Sequence, residues 1–240
     1  MFKNRYLALC ITGALAACGG QDTLDVAQNQ YGVTVCDDGT TIRGIDVSYY
    51  QGSIQWGQVY DDGRRFVIIR ASDGVGFEDP KFEAYWGNSG NAGLVQGAYQ
   101  FFRPNQNARD QADLMISKLN AVGFRASDIP PVLDVEVTGG ESNATIESKI
   151  NTWVDRVRNQ TGRKPIIYTS PGFWSSIGNP DIPNTYLWVA HWTTASCPSI
   201  PPTWAKWRFW QHSSTGTVSG IDGNVDLDRF NGTLTDVKSL

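Results

Sequence analysis

Asp134 and Glu136 stand two residues apart in residues 129–137, Ile-Pro-Pro-Val-Leu-Asp-Val-Glu-Val, a stretch with the apolar and β-branched composition of a strand. Residues i and i+2 of a strand share a face at about 6.5–7 Å, so two carboxylates point one way while Leu133, Val135 and Val137 point the other. A merely solvated strand face would alternate in the same way. The flanking residues argue for more: Pro130 and Pro131 open the stretch and Gly139 and Gly140 close it, which puts the acids at its C-terminal end. In a barrel of parallel strands that is the end where chemistry is done. Crowded carboxyl groups push one proton affinity up, and a carboxyl kept protonated near neutrality is what a general acid requires.

The elements that would hold these acids follow from periodicity. Residues 41–47 (Thr-Ile-Arg-Gly-Ile-Asp-Val) read as a first strand with Asp46 near its end, residues 66–72 as a buried apolar strand, and residues 93–103 as a third, stopped by Pro104. Helical spacing predicts helices over 81–91, over 107–122 with Gly123 closing it, and over 145–160 with Gly162 closing it. Further strands are predicted at 164–170, 186–192, 206–213 and 224–230, with at most a short helix at 173–177. Eight strands, with helices in the first five units and little helix in the last three, make an α/β fold: a TIM-like barrel of irregular (β/α)5(β)3 form. On that barrel Asp46, Asp134 and Glu136 face one cup, joined by Asp226 from the strand that closes beside the first. Tyr99, Tyr168, Trp188, Trp192 and Trp210 are aromatic candidates at strand ends. Rings with polar edges suit sugar faces, although core packing uses the same residues.

Composition narrows the partners. A chain of 240 residues, 40% hydrophobic and 18% charged, suits one globular core. A net charge of -4, with no run of alternating basic and aromatic residues, speaks against nucleic acid. Two histidines, His191 and His212, and no Cys-x-x-Cys spacing predict no metal centre, and no cofactor is expected. Lys3 and Arg5 precede an apolar run over 6–17 that is too short to span a membrane, which reads as a secretion signal. Its end, Leu15-Ala16-Ala17-Cys18-Gly19, resembles a bacterial lipobox, so Cys18 is the expected lipidated residue and membrane anchor. Gly19 rather than aspartate after it is compatible with export to an outer membrane. Loss of 1–17 removes Lys3 and Arg5 and leaves 18 basic against 24 acidic residues, a net -6. Residues 18–32 then read as a polar tether, and 33–240 as a single barrel domain expected to work as a monomer. Cys10 leaves with the signal; Cys36 and Cys197 remain, to form one disulfide or stay as two buried thiols.

Paired acids and aromatic rings without metal ligands point to glycoside hydrolysis, in which one carboxylic acid protonates the leaving oxygen while positive charge develops on the sugar ring. Several short motifs, in order, carry a family resemblance: Gly44-Ile45-Asp46-Val47-Ser48, Gly97-Ala98-Tyr99, Val132-Leu133-Asp134-Val135-Glu136, Ile167-Tyr168-Thr169, Leu187-Trp188-Val189-Ala190, Trp210-Gln211, and Gly223-Asn224-Val225-Asp226-Leu227. Over residues 43–232 the chain resembles the family-25 glycoside hydrolases, the Chalaropsis-type lysozymes.

The resemblance implies Glu136 as general acid/base, Asp134 as its partner, and Asp46 and Asp226 as flanking acids that position the sugar and stabilise positive charge. Tyr99, Tyr168, Trp188, Trp192 and Gln211 are the expected substrate contacts. The implied substrate is the β-1,4 bond after N-acetylmuramic acid in peptidoglycan, cleaved with retention, either by direct attack or with the substrate's own acetamido oxygen as nucleophile. Gln100 stands where many members have histidine and Asp228 where many have asparagine; neither is expected to touch the four acids, though substrate contacts near Gln100 would differ. Three other readings use the same residues: a non-catalytic glycan-binding lipoprotein, a hydrolase of another amino-sugar polymer such as chitin, and a metal-dependent phosphoesterase, whose usual histidines this chain lacks.

Overall fold

Phe66, Val67, Ile68 and Ile69 are consecutive and all fully buried, which a strand achieves only where both faces of its sheet are covered. The computed structural model describes residues 32–240; the predicted signal, Cys18 and all of the tether except Gly32 lie outside the described residues. The elements are β1 (Val33–Thr34), β2 (Thr41–Val47), a 3-10 turn (Tyr49–Gln51), α1 (Trp56–Asp61), β3 (Phe66–Asp73), β4 (Phe77–Glu78), α2 (Phe82–Asn91), β5 (Val95–Phe101) and α3 (Ala108–Ala121). They continue with β6 (Val132–Asp134), α4 (Asn143–Thr161), β7 (Ile166–Thr169), α5 (Pro171–Ser176), β8 (Tyr186–Ala190), β9 (Ser199–Ile200), β10 (Phe209–Gly216), β11 (Val225–Asn231) and α6 (Leu234–Lys238). Among the described residues no helix is long and apolar enough to cross a membrane.

Eight strands close an α/β barrel in the order β2, β3, β5, β6, β7, β8, β10, β11, with β11 pairing back onto β2. The barrel is not all parallel, as the sequence reading assumed: β11 runs antiparallel to both β10 and β2. This direction matters for the acids. Asp46 is near the end of β2, and Asp226, near the start of β11, is its register partner only because the two strands run in opposite senses. In a parallel strand Asp226 would sit several residues away, near the far mouth, at about 3.3 Å per residue.

Alternation divides each strand between two cores. Phe66, Ile68, Val132, Ile166, Phe209 and Phe230 fill the barrel, while Val67, Ile69, Leu133, Val135 and Ile167 face outward into the layer formed by Trp86, Met115, Leu119, Ile150 and Trp153 of the helices. The helices begin where the chain supplies caps. Asn107 accepts from the amides of Arg109 and Asp110 ahead of α3, and Ser142 from Thr145 ahead of α4, which ends on left-handed Gly162. The strand predicted over 129–137 shortens to Val132–Asp134, since Pro130 and Pro131 have no N–H to give the ladder. The strand predicted over 206–213 shifts to Phe209–Gly216, where it pairs with β11 through two irregularities. The six-residue α1 was not predicted, having only Trp56 and Val59 as buried positions.

The wall made by β8 and β10 lacks a long helix. Its outer face, Leu187, Val189, Trp207 and Trp210, is covered by Ile200 of β9 and by Val35, held in place by the β1–β9 pair and by a Cys36–Cys197 disulfide with Cα atoms 4.6 Å apart. Closing a chain separation of 161 residues stabilises the fold by about 2–5 kcal/mol.

Candidate active site

Three strand ends supply the four acids of one cleft of ≈ 360 Å³. Asp46 comes from β2, Asp134 from the end of β6, Glu136 from two residues beyond it, and Asp226 from the start of β11. Although β6 ends at Asp134, Val135 N–H still donates to Tyr168 O, which carries the strand's alternation one step further and returns Glu136 to the cleft. Asp134 is buried and Glu136 is exposed at the rim. Asp134 Oδ1 is buried and receives no hydrogen bond from any described group.

Gln211 orders the opposite wall. Its Oε1 accepts from Tyr168 OH (2.9 Å) and from Trp192 Nε1 (3.0 Å), so its amide nitrogen faces Asp46 and donates to Oδ2 at 2.7 Å. Trp188 stacks edge-on against both Tyr99 and Tyr168 and donates its Nε1 proton to Asp228 Oδ1 (2.9 Å). Cations approach from β3 and the chain after β5. Arg70 is ion-paired with Asp79 (3.0 Å) and lies over the rings of Tyr49, Tyr50 and Phe77 at 5.1–5.4 Å. Its Nη2 is buried without a partner among the described residues. Arg103 forms a two-pronged pair with Asp73 (2.5 and 2.7 Å).

This setting raises the carboxyl groups. Burial lifts Asp134 well above the usual range, helped by Glu136 and Asp73 and opposed by Arg70 and Arg103. Glu136 is lifted first by desolvation, since the surrounding protein is dense even though its surface is open; Asp226 adds to this and Arg103 opposes it. Asp226 is raised by burial to about 6. Asp46 is raised well above its ordinary value by burial, then by Asp228 and Asp226, against the Gln211 hydrogen bond. A second hollow of ≈ 430 Å³ lies at the other mouth of the barrel, between Tyr186, Arg208 and Asp236; its Asp236 is occupied in capping α6.

Comparison with known proteins agrees with this geometry. Residues 45–221 match the model of glycosyl hydrolases family 25. The chain belongs to that family. It is 35% identical over 213 residues to lysozyme M1 of Streptomyces globisporus, covering 85% of this chain and 72% of that one. It is 32% identical over 203 residues to the N,O-diacetylmuramidase of Chalaropsis sp, covering 78% and 96%. Its fold overlays the crystal structure of a bacterial lysozyme from Streptomyces coelicolor with a TM-score of 0.76 at 34% identity, covering 84% of this chain and 99% of that one. As a family-25 member the protein is a glycoside hydrolase.

Of the residues expected in a family-25 site, Asp46, Asp134, Glu136, Asp226, Tyr99, Tyr168, Trp188, Trp192 and Gln211 all line the cleft. Trp210 does not. Its neighbour Gln211 takes the inward position on β10, so Trp210 faces out, packs on Trp207 and donates to His191 O. Gln100 also points away from the cleft, bonded to Ser72 Oγ and Trp153 Nε1, because Tyr99 and Phe101 take the inward positions on β5. The expectation that Asp228 stands clear of the acids is wrong: its carboxyl is within hydrogen-bonding reach of Asp46. Arg70 lines the cleft too and was missed, though one charged residue inside Phe-Val-Ile-Ile-Arg-Ala-Ser was a visible signal.

Proposed function

We propose that the protein is a lysozyme, hydrolysing the β-1,4 bond between N-acetylmuramic acid and N-acetylglucosamine in peptidoglycan. The observation that carries this is the pairing of an exposed Glu136, whose proton affinity desolvation raises, with a buried Asp134 whose Oδ1 is unpartnered, inside a cleft walled by Tyr99, Tyr168, Trp188 and Trp192. The succession of elements supports reading the barrel as an irregular (β/α)5(β)3 form of the TIM-like fold.

Glu136 in its acid form gives its proton to the glycosidic oxygen as the C1–O bond breaks, and the leaving sugar departs with a hydroxyl. The substrate's acetamido oxygen closes on C1, with its N–H held by Asp134 Oδ1. A water then gives a proton to the Glu136 carboxylate and attacks C1 from the face the leaving sugar left, so configuration is retained. The free acceptor on Asp134 supports assistance over direct attack, because a group that accepts an N–H need not itself reach C1. Asp46 and Asp226 stabilise the positive charge of the ring and position it.

Residues 1–17 serve as an export signal and 18–32 as a tether from lipidated Cys18, so that 33–240 works as a monomeric domain held at the membrane of the cell envelope near its substrate. The test is release of new reducing ends from purified peptidoglycan by the full chain, beside its Glu136→Gln variant, with mass identification of fragments. Fragments ending in reducing N-acetylmuramic acid, absent with the variant, are expected. Glycan binding without release would replace this reading by a binding protein, and preferential turnover of chitin would replace the substrate.

A further inference from the structure

Asp228 is a buried acid that the mechanism above does not use. It is fully buried, and its Oδ1 accepts from Trp188 Nε1. Its Oδ2 is buried and receives no hydrogen bond from any described N–H or O–H group. The group against it is the carboxyl of Asp46, reached diagonally across the β2–β11 ladder, in which Asp46 opposes Asp226 and Asp228 opposes Gly44. Gly44 leaves that space to others; a Cβ there would stand 2.4 Å from the Phe66 ring.

Two carboxylates in contact inside a protein do not both ionise. The groups facing the pair are Asp226 on the same strand as Asp228, Gln211 on β10, Trp188 on β8, Tyr168 on β7, Tyr99 on β5 and Arg64 ahead of β3. Gln211 and Trp188 give one hydrogen bond to each carboxyl, which leaves the contact between the two carboxyls to be satisfied by a proton. We propose that Asp228 is a positioning residue: it shares one proton with Asp46, so that the β2–β11 seam presents a single, fixed negative charge to the cleft. Asp46, not Asp228, is the member that lines the cleft. This rests on the lysozyme reading only for what the fixed charge does.

The sign of the pH effect follows. Burial raises both acids, so the folded pair keeps a proton that the unfolded chain gives up above about pH 4. The pair's contribution to stability is then greatest at low pH and falls as pH rises, by one proton's worth, a tenfold change in the unfolding constant for each pH unit until the folded pair ionises. Asp228→Asn has the same shape, accepts from Trp188, donates to Asp46 and leaves Asp46 as the one acid of the pair, with no second carboxyl to hold a proton against it.

The experiment measures unfolding constants of the full chain and of Asp228→Asn between pH 5 and 7 by denaturant titration. The wild-type constant is expected to rise about tenfold more per pH unit. Parallel profiles would overturn the proposal. Asp46→Asn, leaving Asp228 as the one carboxyl, serves as a second variant and is expected to flatten the profile equally. For the positioning role, kcat at pH 5 is compared in Asp228→Asn and Asp228→Leu. Asparagine is expected within about threefold of wild type and leucine, which cannot bridge, at least about tenfold lower; equal losses would overturn the role. Unfolding needs no substrate, so a chain that fails to cleave peptidoglycan leaves the proton-sharing test intact, and parallel unfolding profiles leave the lysozyme reading intact.

Discussion

On the β6 wall of the cleft, Asp134 lies in the field of two guanidinium groups, Arg70 and Arg103, Glu136 in that of Arg103, and Glu136 is exposed. On the β2–β11 seam, Asp46 and Asp228 lie against each other beside Asp226, and the hydrogen bonds to that pair come from an amide and an indole. The same side-chain type is therefore put to two uses. A carboxyl at an open rim can exchange its proton with a substrate and then with water, and the nearby Arg103 keeps it from holding that proton too tightly. Carboxyls packed together and capped by neutral donors cannot exchange readily and serve as a charge that stays in place while positive charge forms beside it.

The largest expected effect breaks the first wall. Glu136→Gln should lower kcat on the order of 10³-fold with little change in the folded state, as steady-state turnover and thermal unfolding would read; a variant within tenfold of wild type would remove Glu136 as the acid. Asp134→Asn should cost on the order of 10²-fold in kcat, since the amide can no longer take the acetamido N–H in the same way. A substrate lacking the acetamido N–H should then be cleaved equally by wild type and variant, and a full Asp134→Asn loss on that substrate would argue for direct attack.

Arg103→Gln sharpens the contrast between the walls through pH. Arg103 holds both Glu136 and Asp134 down, so its removal lifts both. The acid form of Glu136 then persists to higher pH and ionised Asp134 is reached later, moving the whole bell of kcat/KM toward higher pH. A bell that stays put or moves down would detach Arg103 from the site. The smallest effect is at Trp192, which is 57% exposed beside the cleft: its loss as Trp192→Ala should raise KM roughly 3–10-fold with kcat almost unchanged, the size of one aromatic contact. A fall in kcat instead would class Trp192 with the seam, as a holder of Gln211.

Much of this was legible without coordinates where the signal is short-range. Asp134 and Glu136 share a face because strand side chains alternate, and that local rule survives even though β6 stops at Asp134. The helices over 107–122 and 145–160 were legible because periodicity, an Asn or Ser cap and a terminal glycine all lie within the segment itself. Trp210 and Gln211 were not separable in that way. Alternation says only that they face opposite ways, and hydrophobicity alone would send the tryptophan inward, whereas the outer pocket made by Trp207 and Val35 accepts the indole and leaves the amide to Asp46.

Sequence by itself determined the acid set, the aromatic supply, the cysteine pair and the run of eight strands, because each is a matter of residue type and of neighbours a few positions away. The tertiary structure decided the direction of β11, and with it whether Asp226 meets Asp46 at all. It also decided that Asp228 lies against Asp46 and that Arg70 lines the cleft. The physical reason is that strand direction, and which of two faces turns inward, are settled by pairing between segments far apart in the chain, where burial of Phe66, Phe209 and Phe230 in one interior outweighs any local preference.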